Sequence, residues 1–415
     1  LKESARGSSG KRAAQRTRAA LVVSEMALAV VLLVGAGLLI RSFVRLMHVD
    51  LGFQTQHIVT FEVSLPQSKY AMERDIRRFA GQVRDGLSSL PGTQSVAVAF
   101  ARPLQPFGMR VTFDVDGRAP VALDKRMSTD VRPASANFFS TMGIRLIRGR
   151  LFDPVEENFG PPPVLVVTQA FANKYFPGDD PIGKRITLGI DHDTAGANSS
   201  VKVRGEIVGI VSDVRQRRLS EDPTPAAYMG WGTFPLSDIS FVIRSSNESQ
   251  AIGAAIRERV RAVDPQMPIY DLRTMEAAVA DSVSQPRFYM MLLSAFAGLA
   301  LLLAALGIYG VISYSVTQRT RELGIRIALG ATQERVVRLV LGQGVLLTVT
   351  GVAVGLVGAY WLVNLLTSVL FGIAATDKVT FGSVAAILIG VASLASYLPA
   401  RRAARVDPVI AMRSE

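Results

Sequence analysis

The chain has 415 residues, of which 49% are hydrophobic and only 19% charged, against roughly 25% charged in soluble domains; that balance argues against disorder and points to membrane segments. With no cysteine and three histidines (His48, His57 and His192), it lacks the means for a disulfide scaffold, a thiolate nucleophile, a cysteine-ligated zinc or a histidine-rich metal site. Net charge is +12, and its meaning depends on where it lies. The first residue is Leu1 rather than Met, as expected of a piece of a longer or processed chain.

Residues 1–18 form a basic segment with Lys2, Arg6, Lys11, Arg12, Arg16 and Arg18 against the single acid Glu3. The first apolar run, 19–40, follows, with Glu25 as its one charge. It is long enough for the roughly 30 Å hydrocarbon core of a bilayer and predicts a span over 19–44. A cleaved signal peptide is disfavoured, because the run exceeds an ordinary h-region and three more spans follow. These are predicted at 288–317, 339–370 and 379–400, all dominated by uncharged apolar residues. Glu25 reads either as a coupling carboxylate inside the membrane or as an interfacial acid paired with Arg16, Arg18 or another helix.

Between the first and second spans lies a large domain, 45–287. Val59, Phe61, Val63 and Leu65 alternate as a strand; Ile76, Phe79, Val83, Leu87 and Leu90 mark a helix face; Pro91-Gly92 ends it; Val96, Val98 and Phe100 alternate again. The order recurs with Ile239, Phe241 and Ile243, then Ile252, Ile256, Val260 and Val263, then the break Asp264-Pro265 and a strand over 267–272. Two strand–helix–strand units predict a ferredoxin-like βαβ pair, over 50–130 and 237–285. The Gly- and Pro-rich stretch 131–236, with runs such as 164–167 and 207–211, reads as an inserted β-rich lobe, the alternative being one continuous α+β domain. The expected fold class is therefore an α-helical membrane protein with four transmembrane helices (1+3) and a large extracytoplasmic α+β domain.

Charge sets the orientation. Of the +12, +10 lies in 1–18, in the segment after the second span (Arg319, Arg321, Arg326, Arg335 and Arg338 against Glu322 and Glu334), and in the tail 401–415. Residues 41–287 carry only +3. The positive-inside rule puts the basic segments and both termini in the cytoplasm and the domain outside. A nucleic-acid partner is disfavoured, since the basic clusters abut membrane spans and no aromatic-interleaved basic patch accompanies them; membrane lipid is the expected neighbour.

No catalytic constellation emerges. Gly178-Asp-Asp-Pro-Ile-Gly183-Lys184 spells GxxxxGK, but Arg185 stands where a phosphate-binding loop needs Ser or Thr, and Pro181 removes an N–H from the cradle. It reads as a turn before a strand at 186–188, and no nucleotide is expected here. Asp191-His192-Asp193 reads as an exposed loop rather than a metal site. The expected assignments are no catalytic residue, no metal and no cofactor. Gly351, Gly355 and Gly358 form a small-residue stripe suited to close helix contact, within the chain or across a dimer.

The cytoplasmic segment 318–338 carries Arg319, Arg321, Glu322, Gly324, Ile325, Arg326, Ile327, Ala328, Leu329 and Gly330. Apolar residues between mixed charges, with a glycine to cap them, predict a short amphipathic helix along the inner surface. This segment resembles the signature of FtsX-like ABC permeases. The stretches 138–150, 176–185 and 208–214 resemble the MacB-type periplasmic core, and the tail from Pro399 to Pro408 fits the same pattern, so the likeness runs over nearly the whole chain, with 288–408 as the FtsX-like permease domain. The resemblance implies a dimeric permease that transmits ATP-driven motion of a cytoplasmic ABC ATPase to periplasmic domains. It also implies a porter-like subdomain in the βαβ pair and a sabre-like one in the insert, and a coupling role for Arg321, Glu322, Gly324, Ile325, Arg326 and Gly330. Only 18 residues precede the first span, so the ATPase is expected on another chain or not at all. Residues 1–12 also resemble the linker of a duplicated permease group found largely in acidobacteria, of which this would be the C-terminal half. A sensor of a periplasmic ligand without an ATPase, and a membrane-anchored periplasmic enzyme, are the competing readings.

Overall fold

The computed structural model describes residues 6–105, 108–118, 126–157, 163–194, 197–246, 249–329, 332–367, 370–374 and 376–404. Its elements in chain order are α1 (Arg6–Met47), β1 (Ile58–Ser64), α2 (Glu73–Ser88), β2 (Thr93–Ala99), β3 (Met109–Val115), β4 (Met127–Ala134), α3 (Phe138–Met142), β5 (Leu146–Gly149), α4 (Pro154–Glu157), β6 (Val164–Thr168), α5 (Gln169–Tyr175), β7 (Arg185–Thr194) and β8 (Ala197–Val211). They continue with β9 (Ala226–Gly230), β10 (Asp238–Ser245), α6 (Ser249–Val263), β11 (Tyr270–Thr274), α7 (Met275–Ser282), α8 (Ser284–Gln318), α9 (Thr320–Ala328), α10 (Gln333–Leu362) and α11 (Lys378–Ala403). Two compact units result: one holds the four long helices, the other is Val49–Ser284.

In the helical unit, α1, α8, α10 and α11 are each long and apolar enough to cross a membrane. Their shared core joins Val22, Met26 and Val30 of α1 to Val340, Val352 and Ala359 of α10, Leu388 and Ala392 of α11, and Ala304, Ile308 and Ile312 of α8. Leu28, Leu299, Leu346 and Leu394 point outward and are exposed. Helices apolar on every side suit a lipid solvent. The third run is shorter as a helix than its apolar stretch implies: α10 gives way to a 3-10 turn over Val363–Leu366, and Gly372 takes a left-handed φ of 64°. At its other end α10 begins at Gln333, where Glu334 and Arg338 pair one turn apart at 2.8 Å. Asp377 caps α11, accepting from the Thr380 N–H at 2.9 Å and its Oγ1 at 2.6 Å, and it pairs with Arg41. Those Thr380 bonds, with Arg41, hold the carboxyl below its ordinary pKa. Glu25 does not pair with Arg16 or Arg18. Its carboxylate lies against Gly307 of α8, and Arg18 instead stacks over the Tyr314 ring at 4.0 Å.

In the second unit a single eleven-stranded sheet runs β11-β1-β10-β2-β4-β3-β7-β8-β6-β9, with β5 on β8 and an extra β4–β9 pairing. The first four strands pair antiparallel, in the order a ferredoxin-like βαββαβ unit requires. Ile76, Phe79, Val83 and Leu87 of α2 and Ile252, Ile256 and Val260 of α6 close one core over Val59, Phe61, Val96, Val98, Phe241 and Ile243. Phe61 and Phe241 stack with centroids 4.9 Å apart. The last strand is displaced from its expected place at 267–272. β11 starts at Tyr270, and Met267 drops into the core, 6% exposed.

A second core gathers Val111, Phe113 and Val115 of β3, Val131 of β4, Leu165 and Val167 of β6, Phe171 of α5, Ile186 and Leu188 of β7, and Ile207 of β8. β3 and β4 thus belong to the second lobe, and its expected start at 131 moves back to the loop after Ala99. The reason is pairing: β3 lies between β4 and β7, while β2 touches β4 only at Ala99 and Ala134. Asp191-His192-Asp193 is not a loop. It forms the end of β7, paired with β8 through His192 and Ser199, because a matching strand overrides the polar composition. Gly178 and Gly183, with φ of 78° and 82°, make the turn before β7, and Lys184 pairs with Asp179 at 3.3 Å.

β4 also carries a buried polar group. Asp130 is 0% exposed and meets Thr224 Oγ1 at 2.9 Å, Arg217 at 3.4 Å and Arg110 at 3.6 Å. Two residues along the strand, Arg132 is 4% exposed, and none of its guanidinium nitrogens makes a hydrogen bond.

Candidate functional site

The segment between the second and third long helices forms α9, nine residues long. Glu322 sits in its first turn and Arg326 in its last, the order that suits the helix macrodipole. The two pair at 2.6 Å with both side chains about half exposed. Ile327 packs against the helical core, and Gly324 is buried. Ile325 is 43% and Leu329 82% exposed. Glu322, Ile325, Arg326 and Leu329 therefore share one outward face at three- and four-residue spacing. Arg321 falls within α9, and Gly330, the expected cap, lies outside the described residues. Leu329, read among the segment's apolar residues but given no coupling role, completes the face at the i, i+3, i+4, i+7 spacing from Glu322.

The bundle end from which α9 leads off gathers basic groups. Arg18 rests on Tyr314, and Arg402 donates to the Tyr309 hydroxyl at 3.1 Å, both tyrosines lying in the C-terminal half of α8. The glycine stripe of α10 faces α1. A Cβ on Gly351 would stand 2.6 Å from Met26 Cβ, and one on Gly355 2.6 Å from Val30 Cβ and 2.8 Å from the Ala27 carbonyl oxygen. Gly358 has ordinary space, 3.6 Å from Val31 Cγ2. Absence of side chains lets the two helices approach closely there. Among the described residues no group of three or more histidine, aspartate or glutamate side chains is placed to hold a metal ion.

Four membrane-length helices, with an α+β domain between the first and second, define a membrane protein with a large domain outside the bilayer. The family model for the MacB-like periplasmic core domain matches residues 19–259, more than half the chain, and that for the FtsX-like permease C-terminal region matches 294–408. The chain belongs to the MacB-like, FtsX-like permease family of ABC transporters, which places it in an inner membrane.

It is 26% identical over 323 residues to the macrolide export ATP-binding/permease protein MacB of Acinetobacter baylyi, covering 75% of this chain and 46% of that one. It is 28% identical over 271 residues to the pyoverdine export ATP-binding/permease protein PvdT of Pseudomonas syringae pv. tomato, covering 64% and 40%. It is 27% identical over 256 residues to the uncharacterized ABC transporter permease YknZ of Bacillus subtilis, covering 61% and 62%. The chain thus spans about half the length of the curated relatives it matches.

Proposed function

We propose that this chain is the permease part of a MacB-type transporter, receiving the conformational change of a cytoplasmic ABC ATPase on α9 and passing it to the periplasmic domain to drive export or an envelope process. One observation carries the reading: α9 packs Ile327 inward and leaves Glu322, Ile325, Arg326 and Leu329 exposed together on a face of mixed charge and apolar surface. A helix lying on lipid alone would be served by basic residues, whereas this face suits a protein. On this reading the βαββαβ lobe acts as the porter and the β3–β9 lobe as the sabre. A second permease unit, as a homodimer or as the other half of a duplicated chain, completes the machine.

Glu322→Arg should weaken association with the ATPase while leaving membrane insertion intact. A desolvated interfacial pair costs about 2–5 kcal/mol to break, roughly 30- to 4,000-fold in affinity at 1.4 kcal/mol per decade; a solvated pair costs about 0–1 kcal/mol. The measurement is ATPase co-purification and ATP hydrolysis in membranes carrying the full chain, with Gln333→Ala as a control expected to change little. Equal ATPase retention by wild type and Glu322→Arg removes α9 from coupling. Absence of any ATPase under all conditions favours the sensor instead.

Orientation has its own test, helped by the absence of native cysteine. A cysteine at exposed Ser89 should react with an impermeant maleimide on intact spheroplasts, and one at Thr332 only after lysis. The reverse pattern inverts the topology and overturns the transporter reading.

A further inference from the structure

We infer that the periplasmic domain binds an organic cation, an ammonium group on an apolar body, in the cavity at the C-terminal end of β1. The cavity measures about 400 Å³, within the range of small-molecule sites. Glu62, Gln105 and Asp238 supply its polar wall; Phe100, Ile239 and Tyr270 supply apolar and aromatic surface.

The polar wall is rich in acceptors, although the Gln105 amide also donates toward Glu62. Glu62 Oε1 and the Gln105 side-chain oxygen are buried without a hydrogen bond, and Asp238, on the residue paired with Ser64, adds a second carboxylate. Buried acceptors without donors are costly, and a ligand bearing N–H donors removes that cost. Burial, with Asp271 nearby, pushes the Glu62 carboxyl pKa up, while Arg102, the Gln105 amide and Arg273 oppose, so a further positive charge beside it is favoured. Arg102 meets this need only in part. Its Nε stands 3.7 Å from Glu62 Oε1, an ion pair without a hydrogen bond, while its Nη2 is committed at 2.6 Å to Asp271. Arg273 pairs with Asp271 and, at 2.6 Å, with Asp281. Acids therefore outnumber the two arginines around the cavity, and an anionic ligand is excluded by Glu62 and Asp238. A bare metal ion would leave the aromatic wall without a role. The Tyr270 ring, 51% exposed, offers a π face to an ammonium.

The backbone is bent to make this place. The β1–β11 register shifts between Thr60 and Glu62 and sets Glu62 opposite Tyr270, as a bulge does when it re-aims a side chain. Asp271 and Leu104 adopt φ of 48° and 61°. Both are non-glycine residues in the left-handed region, each next to a residue lining the cavity, and such strain persists where the surroundings hold it.

The inference does not depend on α9 or on ATP, so its failure leaves the coupling reading standing. The test is calorimetric titration of the full chain in lipid nanodiscs, with empty-disc heats subtracted. The probes are 2-phenylethylammonium and its uncharged counterpart 2-phenylethanol. The ammonium should bind saturably and the alcohol about tenfold or more weaker, and Glu62→Gln should weaken the ammonium by about tenfold. Asp238→Asn, at an exposed strand end, spares the fold and should cost about threefold, with Trp231 fluorescence in a Trp361→Phe background confirming native structure. No saturable binding by wild type, equal binding of the alcohol, or unchanged affinity in both variants overturns the site.

Discussion

Asp130→Ala should cost the periplasmic domain about 3–5 kcal/mol, because it leaves the charge of buried Arg132 without compensation. Asp130 is 0% exposed and anchors Arg217 and Arg110 while accepting from Thr224. Arg132, without a hydrogen bond of its own, draws on the same carboxylate electrostatically. Loss of that one charge leaves a buried guanidinium with no counter-charge from its strand. The experiment is urea unfolding of the full chain in a Trp361→Phe background, so that Trp231, 3% exposed, reports on the domain. A midpoint equal to that of the background shows that the cluster is solvated and the accounting wrong. Glu334→Ala, removing a pair whose side chains are both 80% exposed, should leave the midpoint unchanged.

Gly355→Val should separate α1 from α10. Its Cβ would meet Val30 Cβ at 2.6 Å, and the Ala27 carbonyl oxygen and Cα at 2.8 and 2.9 Å. Two of those atoms are backbone, so no rotamer change relieves the overlap and the helices themselves must move. Overpacking of this kind costs about 1–3 kcal/mol, occasionally more. The detergent-solubilised chain should lose thermal stability and monodispersity on gel filtration. Gly390→Ala, where no atom lies within 4 Å of the Cβ position, is the control. Equal thermal stability of Gly355→Val and wild type would mean that α10 does not pack on α1 through this stripe.

The four long helices were legible in the sequence because an apolar run of membrane length is a one-dimensional signal. The βαββαβ lobe was legible because Ile76, Phe79, Val83 and Leu87, and then Ile252, Ile256 and Val260, repeat at helix spacing between alternating strands. Pairing between distant strands leaves no such trace. Nothing local in Met109–Val115 says that it pairs with β7 rather than extending the first lobe, so the boundary was placed too late. Asp191-His192-Asp193 is polar enough for a loop, and only its partner strand makes it β structure. For the coupling segment, the helix and its charged face were readable, but which side carries Ile327 inward depends on a core contributed by other helices. The acceptor-lined cavity is assembled from Glu62, Gln105, Asp238 and Tyr270, far apart in sequence, and its bulge and left-handed residues have no compositional mark.

The single rung between β2 and β4 has a mechanical consequence. Within the first lobe β1 and β10 are paired over seven residues, and in the second β7 and β8 over ten. The lobes themselves are stitched at Ala99 and Ala134, by Phe100 N–H to the Pro133 carbonyl at 2.9 Å and Ser135 N–H to the Val98 carbonyl at 2.7 Å. Side-chain bonds flank this stitch, with Ser135 Oγ accepting from the Val98 N–H at 2.9 Å and Asn137 donating to the Val96 carbonyl at 2.7 Å. Helix α3 reinforces this seam, with Thr141 Oγ1 donating to Ser95 Oγ at 3.0 Å and Arg244 Nε donating to the Thr141 carbonyl at 3.0 Å, and Arg84 reaches Glu157 at 3.3 Å. A tensile load pulling one lobe from the other meets one backbone rung with side-chain bonds around it, and long ladders on either side. Bonds in series fail where they are fewest, so yielding begins here while both ladders stay whole. The sheet then behaves as two stiff plates sharing a crease, and Ser135, Asn137, Thr141 and Arg244 set how far the crease opens before the plates part.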